Sequence, residues 1–279
     1  MIKLILGDSL DILPMLDSEI AQTCVTSPPY YGLRDYENDM QMGLEYSPEA
    51  YVANLVSIFS QIRRILKQDG TLWLNLGDTY NGNKKGNTNG TYGKGKEVDE
   101  SKVYAKTDSF SKKLWTGAKE KDLIGIPWMV AFALRNGGWY LRQDIIWAKP
   151  NPMTESVKDR CTKSHEHIFL FAKSKNYLFN HEAMLEPSLK DGKYPFRNKR
   201  DVWTAPTASY KEAHFATFPP ALIEPCILAG SNKGDTVIDP FSGAGTTGLV
   251  SNNNERNYIG IDVNEKYLQM SYKRITNGR

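Results

Sequence analysis

The sequence predicts an α/β protein on a doubly wound, mostly parallel sheet whose strand order is circularly permuted. Three observations support this fold class. Strands and helices alternate up to Leu76, as in parallel sheets covered by helices on both faces. A strand, a glycine-rich turn and a helix come late, at 236–253. Only about 30 residues follow Gly248, so most of the sheet must be built from upstream segments.

Apolar runs and turn residues place the elements of the amino-terminal part. Ser47 followed by Pro48 is a helix start signal, and Gly70 is expected to lie just beyond the end of that helix. The pattern predicts, in order, a strand at 2–6, a short helix at 10–16, a strand at 21–27, a helix from 47 to about 69 and a strand at 71–76.

A long polar stretch separates these elements from the rest. Residues 81–96 hold four lysines, five glycines, four asparagines and no acidic residue, which cannot build a core. We therefore expect a flexible basic insert over 80–122 and irregular structure over 173–217. The remaining elements are predicted as a helix at 124–135, strands at 140–148 and 168–172, a helix at 219–229, and a strand, helix, strand and helix at 236–239, 245–253, 258–262 and 265–275.

Composition excludes several classes of protein. The longest apolar run, 124–134, contains Gly125 and Pro127 and is far shorter than the roughly 20 residues that span a bilayer, so no membrane association is expected. Lys3 and Asp8 interrupt the stretch where a signal peptide would be apolar, which favours a cytoplasmic location. The net charge of +3 is too small to indicate a polyanionic partner by itself.

The cysteines and histidines do not form a metal-binding pattern. Cys24, Cys161 and Cys226 are an odd number without a CxxC pair, and we expect three free thiols. His165 and His167 alternate on a strand and point the same way, but no third ligand is near them in the sequence. The sequence therefore predicts no metal site.

The late glycine-rich turn has the features of a nucleotide site. Gly243, Gly245 and Gly248 follow the strand that ends at Asp239, and Asp262 ends the next strand, as in the dinucleotide fingerprint. Backbone N–H groups at the start of a helix suit any nucleoside with an anionic group, including the carboxylate of S-adenosylmethionine. The turn indicates a nucleoside and leaves NAD and S-adenosylmethionine both open.

A second motif, Ser27-Pro28-Pro29-Tyr30, lies at the carboxyl end of a strand, where ligands bind in open α/β sheets. The two prolines stiffen the turn, so the Ser27 hydroxyl and a neighbouring carbonyl become fixed acceptors for an amino group. The exocyclic nitrogen of cytosine or adenine is a poor nucleophile because its lone pair is delocalised into the ring. Two acceptors could localise that lone pair for attack on a methyl sulfonium, while Tyr30 stacks on a base extruded from the duplex.

Four motifs of the sequence, and the order in which they follow one another, resemble the β-class DNA amino-methyltransferases. These are bacterial and phage enzymes in which the catalytic motif precedes the cofactor motif. The four motifs lie at 7–10, 26–30, 147–152 and 239–246, and the similarity covers the chain outside 80–122. The resemblance implies a Rossmann-like methyltransferase fold in one catalytic domain, 1–279, with S-adenosylmethionine as cofactor. It also implies double-stranded DNA with a flipped target base as substrate, a cognate restriction endonuclease as a candidate partner, and a monomer or homodimer.

Carried over position by position, the resemblance assigns the target base to Ser27, Pro28, Pro29 and Tyr30. It assigns the ribose to Asp262, the adenine to Asp8, and the methionine part of the cofactor to the other residues of the glycine turn and to the segment before the penultimate helix. The implied cofactor residues are Asp8, Phe218, Pro219, Asp239, Phe241, Ser242, Gly243, Gly245, Thr246 and Asp262.

Clusters of basic residues are usually solvated surface, but a DNA enzyme must contact phosphates somewhere. The insert at 80–122 departs from the family pattern and leaves open which segment reads the bases; 173–217 is the candidate target-recognition region. The predicted DNA-contacting residues are Lys84, Lys85, Lys149, Asn151, Lys158, Arg160, Lys163, Arg197, Lys199 and Arg200.

The target atom is predicted from the same resemblance. Adenine enzymes of the family mostly carry Asp at the first position of the four-residue motif, and cytosine-N4 enzymes mostly carry Ser, so Ser27 favours cytosine N4 over adenine N6. Cys226 follows a proline like the nucleophile of cytosine C5 methyltransferases, but its helix with Leu222 and Ile223 predicts a buried structural cysteine. The alternatives from other classes are an NAD(P)-binding oxidoreductase and a nucleic-acid-binding protein without catalysis.

Overall fold

The computed structural model describes residues 1–33, 41–82, 115, 117–188, 194–209 and 216–278. Most of the predicted insert, including Lys84 and Lys85, lies outside the described residues. None of the described helices is both long and apolar enough to cross a membrane. The strands are β1 (Ile2–Leu6), β2 (Ala21–Thr26), β3 (Leu66–Leu76), β4 (Tyr140–Ala148), β5 (His165–Ala172), β6 (Leu185–Pro187), β7 (Phe196–Asn198), β8 (Val202–Thr204), β9 (Ala208–Ser209), β10 (Ala216–Thr217), β11 (Thr236–Asp239) and β12 (Asn257–Asp262).

The helices are distributed along the whole chain. They are α1 (Ser9–Ile12), α2 (Pro48–Ile65), α3 (Ile126–Asn136), α4 (Pro220–Gly230), α5 (Thr246–Asn253) and α6 (Glu265–Asn277), with short 3-10 turns at Leu13–Met15 and Glu182–Met184. The Ser47 hydroxyl caps α2 by accepting a hydrogen bond from the Ala50 amide at 3.2 Å, as its sequence signal predicts.

Eight strands form the central sheet in the order β1-β12-β11-β2-β3-β5-β4-β8. All neighbouring pairs are parallel except those of β5, which runs antiparallel to both β3 and β4. Strands from the two ends of the chain meet at β11 and β2, and the strand order reverses there. The predicted α/β, circularly permuted, doubly wound sheet is confirmed, and a crevice at this reversal is the usual ligand site of such folds.

Helices cover both faces of the sheet and bury one apolar cluster on each side. The cluster on the first face joins α2 and α3 to the sheet, with Leu55, Phe59 and Val130 buried. The cluster on the second face joins α4 and α5 to the sheet, with Ile227 and Val250 buried. These two layers hold the strand ends in fixed positions.

The predicted boundary between α2 and β3 is wrong. Helix α2 ends at Ile65 and strand β3 starts at Leu66, so Asp69 and Gly70 lie within a strand and not at a helix end. The physical reason is tertiary: Asp69 accepts a hydrogen bond from the Gln22 side chain at 2.9 Å, and Gly70 O accepts one from the Lys173 amide at 3.0 Å. Contacts with β2 and β5 therefore extend β3.

The segment 173–217, expected to be irregular, contains short strands. Strand β8 pairs with β4 and becomes the last strand of the central sheet, while β6 pairs with β7 and β9 with β10. Three-residue strands have too little local pattern to be recognised, because their pairing partners supply most of their stability.

Candidate active site

The glycine turn that follows β11 is packed against helix α6. Gly243 and Gly245 have φ values of +49° and +73°, which glycine adopts without strain. A Cβ atom on Gly245 would lie 2.2 Å from the Ser271 hydroxyl oxygen, so only glycine fits there. Ser242 and Thr246 of the same turn point inward: Ser242 lies 2.9 Å from the Tyr258 hydroxyl, and the Thr246 hydroxyl accepts a hydrogen bond from Arg274 at 2.9 Å. These contacts fix the backbone at the start of α5.

The Asp239 carboxylate connects the two motifs identified in the sequence. It accepts hydrogen bonds from the Thr26 hydroxyl at 2.6 Å and from the Phe241 amide at 3.0 Å. Burial raises its pKa from 3.8 to about 6. Thr26 directly precedes the Ser27-Pro28-Pro29-Tyr30 turn, so this bond places the turn beside the glycine turn. A buried carboxylate of this kind is stabilised by a cationic ligand.

Asp262 supports the glycine turn from the end of β12. Its carboxylate accepts hydrogen bonds from the Gly243 amide at 2.7 Å and from the Asn264 amide at 2.8 Å, and burial raises its pKa. The Gly7 amide donates to the Asp262 carbonyl at 3.0 Å, which brings the end of β1 alongside. Asp262 therefore lies at the same edge of the sheet as Asp239, as the fingerprint predicts.

Asp8 follows β1 at this edge and caps α1, accepting a hydrogen bond from the Leu10 amide at 2.8 Å. The neighbouring Ser9 is buried, and its hydroxyl donates to the Pro240 carbonyl, so α1 is tied directly to the glycine turn. Sequence reasoning missed Ser9. A serine at the first position of a helix is ordinary, and only the fold shows that it reaches β11.

The Ser27-Pro28-Pro29-Tyr30 turn is surrounded by oxygen atoms. The Ser27 hydroxyl lies 3.3 Å from Asn75 Oδ1 and 3.4 Å from the Tyr30 hydroxyl. The Tyr30 hydroxyl lies 2.9 Å from Asn75 Oδ1 and 2.5 Å from Glu166 Oε2. Sequence reasoning did not identify Asn75 or Glu166. The available signal was a polar residue inside an otherwise apolar strand at Asn75 and a carboxylate between two histidines at Glu166.

The carbonyls of the two prolines in the turn differ in their hydrogen bonding. The Pro29 carbonyl accepts a hydrogen bond from the Tyr51 hydroxyl of α2 at 2.8 Å. The Pro28 carbonyl accepts no hydrogen bond from the residues that the structure describes. The Pro28 carbonyl can therefore accept a hydrogen bond from a ligand, whereas the Pro29 carbonyl is already bonded to Tyr51.

The aromatic ring of Tyr30 lies against the end of β3. A Cβ atom on Gly77 would be 2.7 Å from Cε2 of Tyr30. The Tyr30 ring can occupy this position because residue 77 is a glycine and has no side chain. Asp78 follows and accepts hydrogen bonds at 3.1 Å from the Gly125 and Ile126 amides, which fixes the start of α3 at the same edge.

The segment before α4 contains Phe218 and Pro219, which the resemblance assigns to the cofactor. Pro219 is buried and caps α4, and the half-buried Phe218 packs against the apolar cluster on the second face. Cys226 lies in α4 and is fully buried, and burial raises its pKa far above that of an ordinary thiol. This environment fits the predicted structural cysteine and not a nucleophile, and all three cysteines are free thiols.

Several of the predicted DNA-contacting residues bond to other residues of the site edge, among them Lys149, Lys163 and Arg160. Lys149 forms an ion pair with Glu166, and its ammonium lies 4.4 Å from the centroid of the Trp147 ring. The Lys163 ammonium donates to the Asp78 carbonyl, and burial lowers its pKa. Arg160 pairs with Glu155 at 2.6 Å. Their positive charges help to assemble the site edge, and a DNA contact by these side chains stays a prediction.

The other predicted DNA-contacting residues are more dispersed. Lys158 and Arg200 are exposed, and the Asn151 side chain accepts a hydrogen bond from the Thr207 amide at 3.0 Å. Arg197 pairs with Glu186 at 2.8 Å, and the Lys199 ammonium lies 5.2 Å from the centroid of the Trp203 ring. Contact of these residues with DNA stays a prediction.

Comparison with known proteins identifies the family of the chain. The sequence profile of the N6/N4 DNA methylase family matches residues 21–273. Type II methyltransferase M.SmaI of Serratia marcescens is 47% identical over 277 residues, which cover 99% of this chain and 91% of that protein. M.Cfr9I of Citrobacter freundii is also 47% identical, over 96% of this chain and 86% of that protein.

Solved structures share the fold. The PvuII DNA methyltransferase (cytosine-N4-specific) superposes with a TM-score of 0.70 at 20% identity, covering 100% of this chain and 93% of that one. The M1.HpyAVI–SAM complex gives a TM-score of 0.60 at 21% identity, covering 99% of both chains. The Rossmann-like methyltransferase fold is thereby confirmed, and the oxidoreductase alternative is excluded by the family match. The match over 21–273, together with 47% identity across nearly the whole chain, shows that this protein belongs to the N6/N4 family of DNA methyltransferases.

Proposed function

We propose that this DNA methyltransferase transfers a methyl group from S-adenosylmethionine to the exocyclic N4 of a cytosine flipped out of double-stranded DNA. The observation that carries the proposal is the acceptor cluster at the end of β2. Ser27 and Pro28 are consecutive residues there, and the preceding Thr26 ties this turn to the buried Asp239 through a 2.6 Å hydrogen bond. One edge of the sheet thus combines acceptors for an amino group with a buried anion.

S-adenosylmethionine fits the glycine turn and its acids. The cofactor supplies an electrophilic methyl group on a sulfonium and carries a second positive charge on its ammonium. Burial raises the pKa of Asp239, and a cationic ligand would stabilise the charged form of this carboxylate. Asp262 and Asp8 lie at the neighbouring strand ends and are assigned to the ribose and the adenine. Phe218, Pro219, Phe241, Gly243 and Gly245 are assigned to the methionine part.

The turn can activate an amino group without a strong base. The Ser27 oxygen and the Pro28 carbonyl accept its two N–H bonds and draw them out of the plane of the ring, so the nitrogen lone pair is no longer fully delocalised. That lone pair forms the new N–C bond as the S–C bond breaks, and the nitrogen then loses one proton. The Tyr30 ring offers a face on which the flipped base stacks.

Cytosine N4 is preferred over adenine N6 because Ser27 occupies the first position of the motif, and a structural neighbour with the same fold is described as cytosine-N4-specific. Either base offers an amino group beside a ring nitrogen, so the product must be identified directly. DNA methylated by the purified protein should be digested to nucleosides and analysed by mass spectrometry. N4-methylcytosine is expected, and a product containing only N6-methyladenine would overturn the cytosine assignment.

Substitution of Ser27 tests the role of the turn. Ser27→Ala should slow single-turnover methyl transfer by about 10- to 100-fold and leave S-adenosylmethionine affinity nearly unchanged, because the lost acceptor matters as the amino nitrogen changes geometry. Ser57→Ala, on the exposed face of α2, is the matched control. Equal rates for the two variants would contradict the assignment.

The proposal includes the arrangement of the whole chain. Residues 1–279 form one catalytic domain, 80–122 contact DNA as a basic insert, and 173–217 contain the target-recognition region. Relatives named as Type II methyltransferases support a cognate restriction endonuclease as a partner in a cytoplasmic modification system. Sedimentation with and without a DNA duplex would distinguish a monomer from a homodimer.

A further inference from the structure

Four oxygen atoms from three segments meet at the Ser27-Pro28-Pro29-Tyr30 turn: two from the turn itself, one from β3 and one from β5. They belong to Ser27, Tyr30, Asn75 and Glu166, with successive separations of 3.3 Å (Ser27 to Asn75), 2.9 Å (Asn75 to Tyr30) and 2.5 Å (Tyr30 to Glu166). The Asn75 amide nitrogen donates to the His167 carbonyl at 3.1 Å, so the amide oxygen faces the cluster. When Glu166 is ionised, only the two hydroxyls supply hydrogen atoms to these contacts.

This shortage of hydrogen atoms fixes the direction of the bonds. The Tyr30 hydroxyl can donate either to Glu166 or to Asn75, and the charged oxygen at 2.5 Å is the stronger acceptor. The Ser27 hydrogen then has two acceptors, Asn75 Oδ1 at 3.3 Å and the Tyr30 oxygen at 3.4 Å, and the amide oxygen is the stronger acceptor of the two. With its hydrogen directed at Asn75, the Ser27 oxygen has its lone pairs available to accept an N–H bond.

Lys149 holds Glu166 in place. The two side chains form an ion pair and are only 16% and 12% exposed. The cost of burying each charge is offset by the other, and the pair fixes the position of the Glu166 side chain. Trp147, whose ring lies 4.4 Å from the Lys149 ammonium, restricts the position of the pair further.

We propose that Glu166 is a positioning residue for methyl transfer: by taking the Tyr30 hydrogen, it directs the Ser27 hydrogen to Asn75 and presents the Ser27 lone pairs to the substrate amino group. This inference rests on the proposed role of Ser27. It assigns a function to Glu166 without contact between Glu166 and either substrate.

Glu166→Gln retains the shape of the side chain but can donate to the Tyr30 oxygen, which reverses the direction of that bond. Single-turnover methyl transfer should slow by about 10- to 100-fold, while DNA and S-adenosylmethionine dissociation constants stay within about two-fold of the wild type. Asp235→Asn is the matched control, because it removes the charge of an ion pair, with Lys67 at 2.8 Å, at the opposite end of β11. That variant should retain the wild-type rate.

A double-mutant cycle tests whether Glu166 acts through Tyr30. Tyr30→Phe removes the hydroxyl and keeps the ring, so adding Glu166→Gln to Tyr30→Phe should cause no further loss of rate. An equal loss in both backgrounds would show that Glu166 acts by general charge or packing, and would overturn the inference. Glu166→Gln with a wild-type rate would overturn it as well.

Comparison of Ser27→Ala with Glu166→Gln separates this inference from the proposed function. If Ser27→Ala leaves the rate unchanged, the assigned role of the turn fails. If Ser27→Ala is slow and Glu166→Gln is fast, only the positioning role of Glu166 fails.

Discussion

Replacing Asp239 by asparagine should make the folded protein more stable above pH 6. The asparagine oxygen can still accept hydrogen bonds from the Thr26 hydroxyl and the Phe241 amide, which both bind Oδ1 of the aspartate. The substitution removes a fully buried negative charge whose pKa is raised from 3.8 to about 6. These two values differ by about 2.2, and at 1.36 kcal/mol per pKa unit the buried charge destabilises the fold by about 3 kcal/mol. That figure is an upper limit for the gain, because the new amide N–H groups also need acceptors.

The sign of the pH dependence follows from the raised pKa. Above pH 6, Asp239 is ionised in the folded and unfolded chains, and the full penalty applies. As the pH falls from 6 towards 4, the folded protein takes up the proton first, so the penalty disappears. The stability difference between Asp239→Asn and the wild type should therefore be largest at pH 8 and should shrink below pH 6.

Urea unfolding of both proteins at pH 8, 6 and 5 measures this difference, and other titrating groups cancel in the comparison. S-adenosylmethionine affinity provides the second measurement. The variant should bind the cofactor more weakly, because the carboxylate that destabilises the free protein is the group proposed to stabilise the cationic cofactor. Equal stability at pH 8, or a difference that does not change with pH, would refute the reasoning.

Three further predictions address the rest of the site. Asp262→Ala should weaken S-adenosylmethionine binding by about 1.5 to 3 kcal/mol, the range for hydrogen bonds to a charged group, and unchanged calorimetric affinity in a folded variant would contradict the ribose assignment. Gly77→Ala places a methyl group 2.7 Å from Cε2 of Tyr30 and should slow methyl transfer with little change in cofactor affinity; a wild-type single-turnover rate would show that the ring position is unimportant. Replacing residues 84–113 by a short Gly-Ser linker should leave Tm and cofactor binding nearly unchanged, because the Trp115 amide and the Asn81 side chain, 2.9 Å apart, keep the ends of the insert together. The replacement should weaken DNA binding and flatten its salt dependence, because it removes basic residues. A large fall in Tm would show that the insert is structural.

The order of the elements and the two site motifs were predictable from the sequence because their signals are local. Strands β4 and β11 have the predicted bounds, since an apolar run with clear breakers at both ends needs no distant information. The glycine turn and the Ser27-Pro28-Pro29-Tyr30 turn also depend on backbone preferences that glycine and proline impose wherever they occur. Parallel strands then bring both turns to one edge of the sheet.

The partners of those turns were decided by the tertiary structure. Asn75 meets Tyr30 only because β3 pairs with β2, and Glu166 reaches the same hydroxyl only because β5 inserts antiparallel between β3 and β4. Strand register depends on packing between segments 45 to 136 residues apart, and no local pattern encodes it. Likewise, the charge of Lys149 was visible in the sequence, but its ion pair with Glu166 is a consequence of that register.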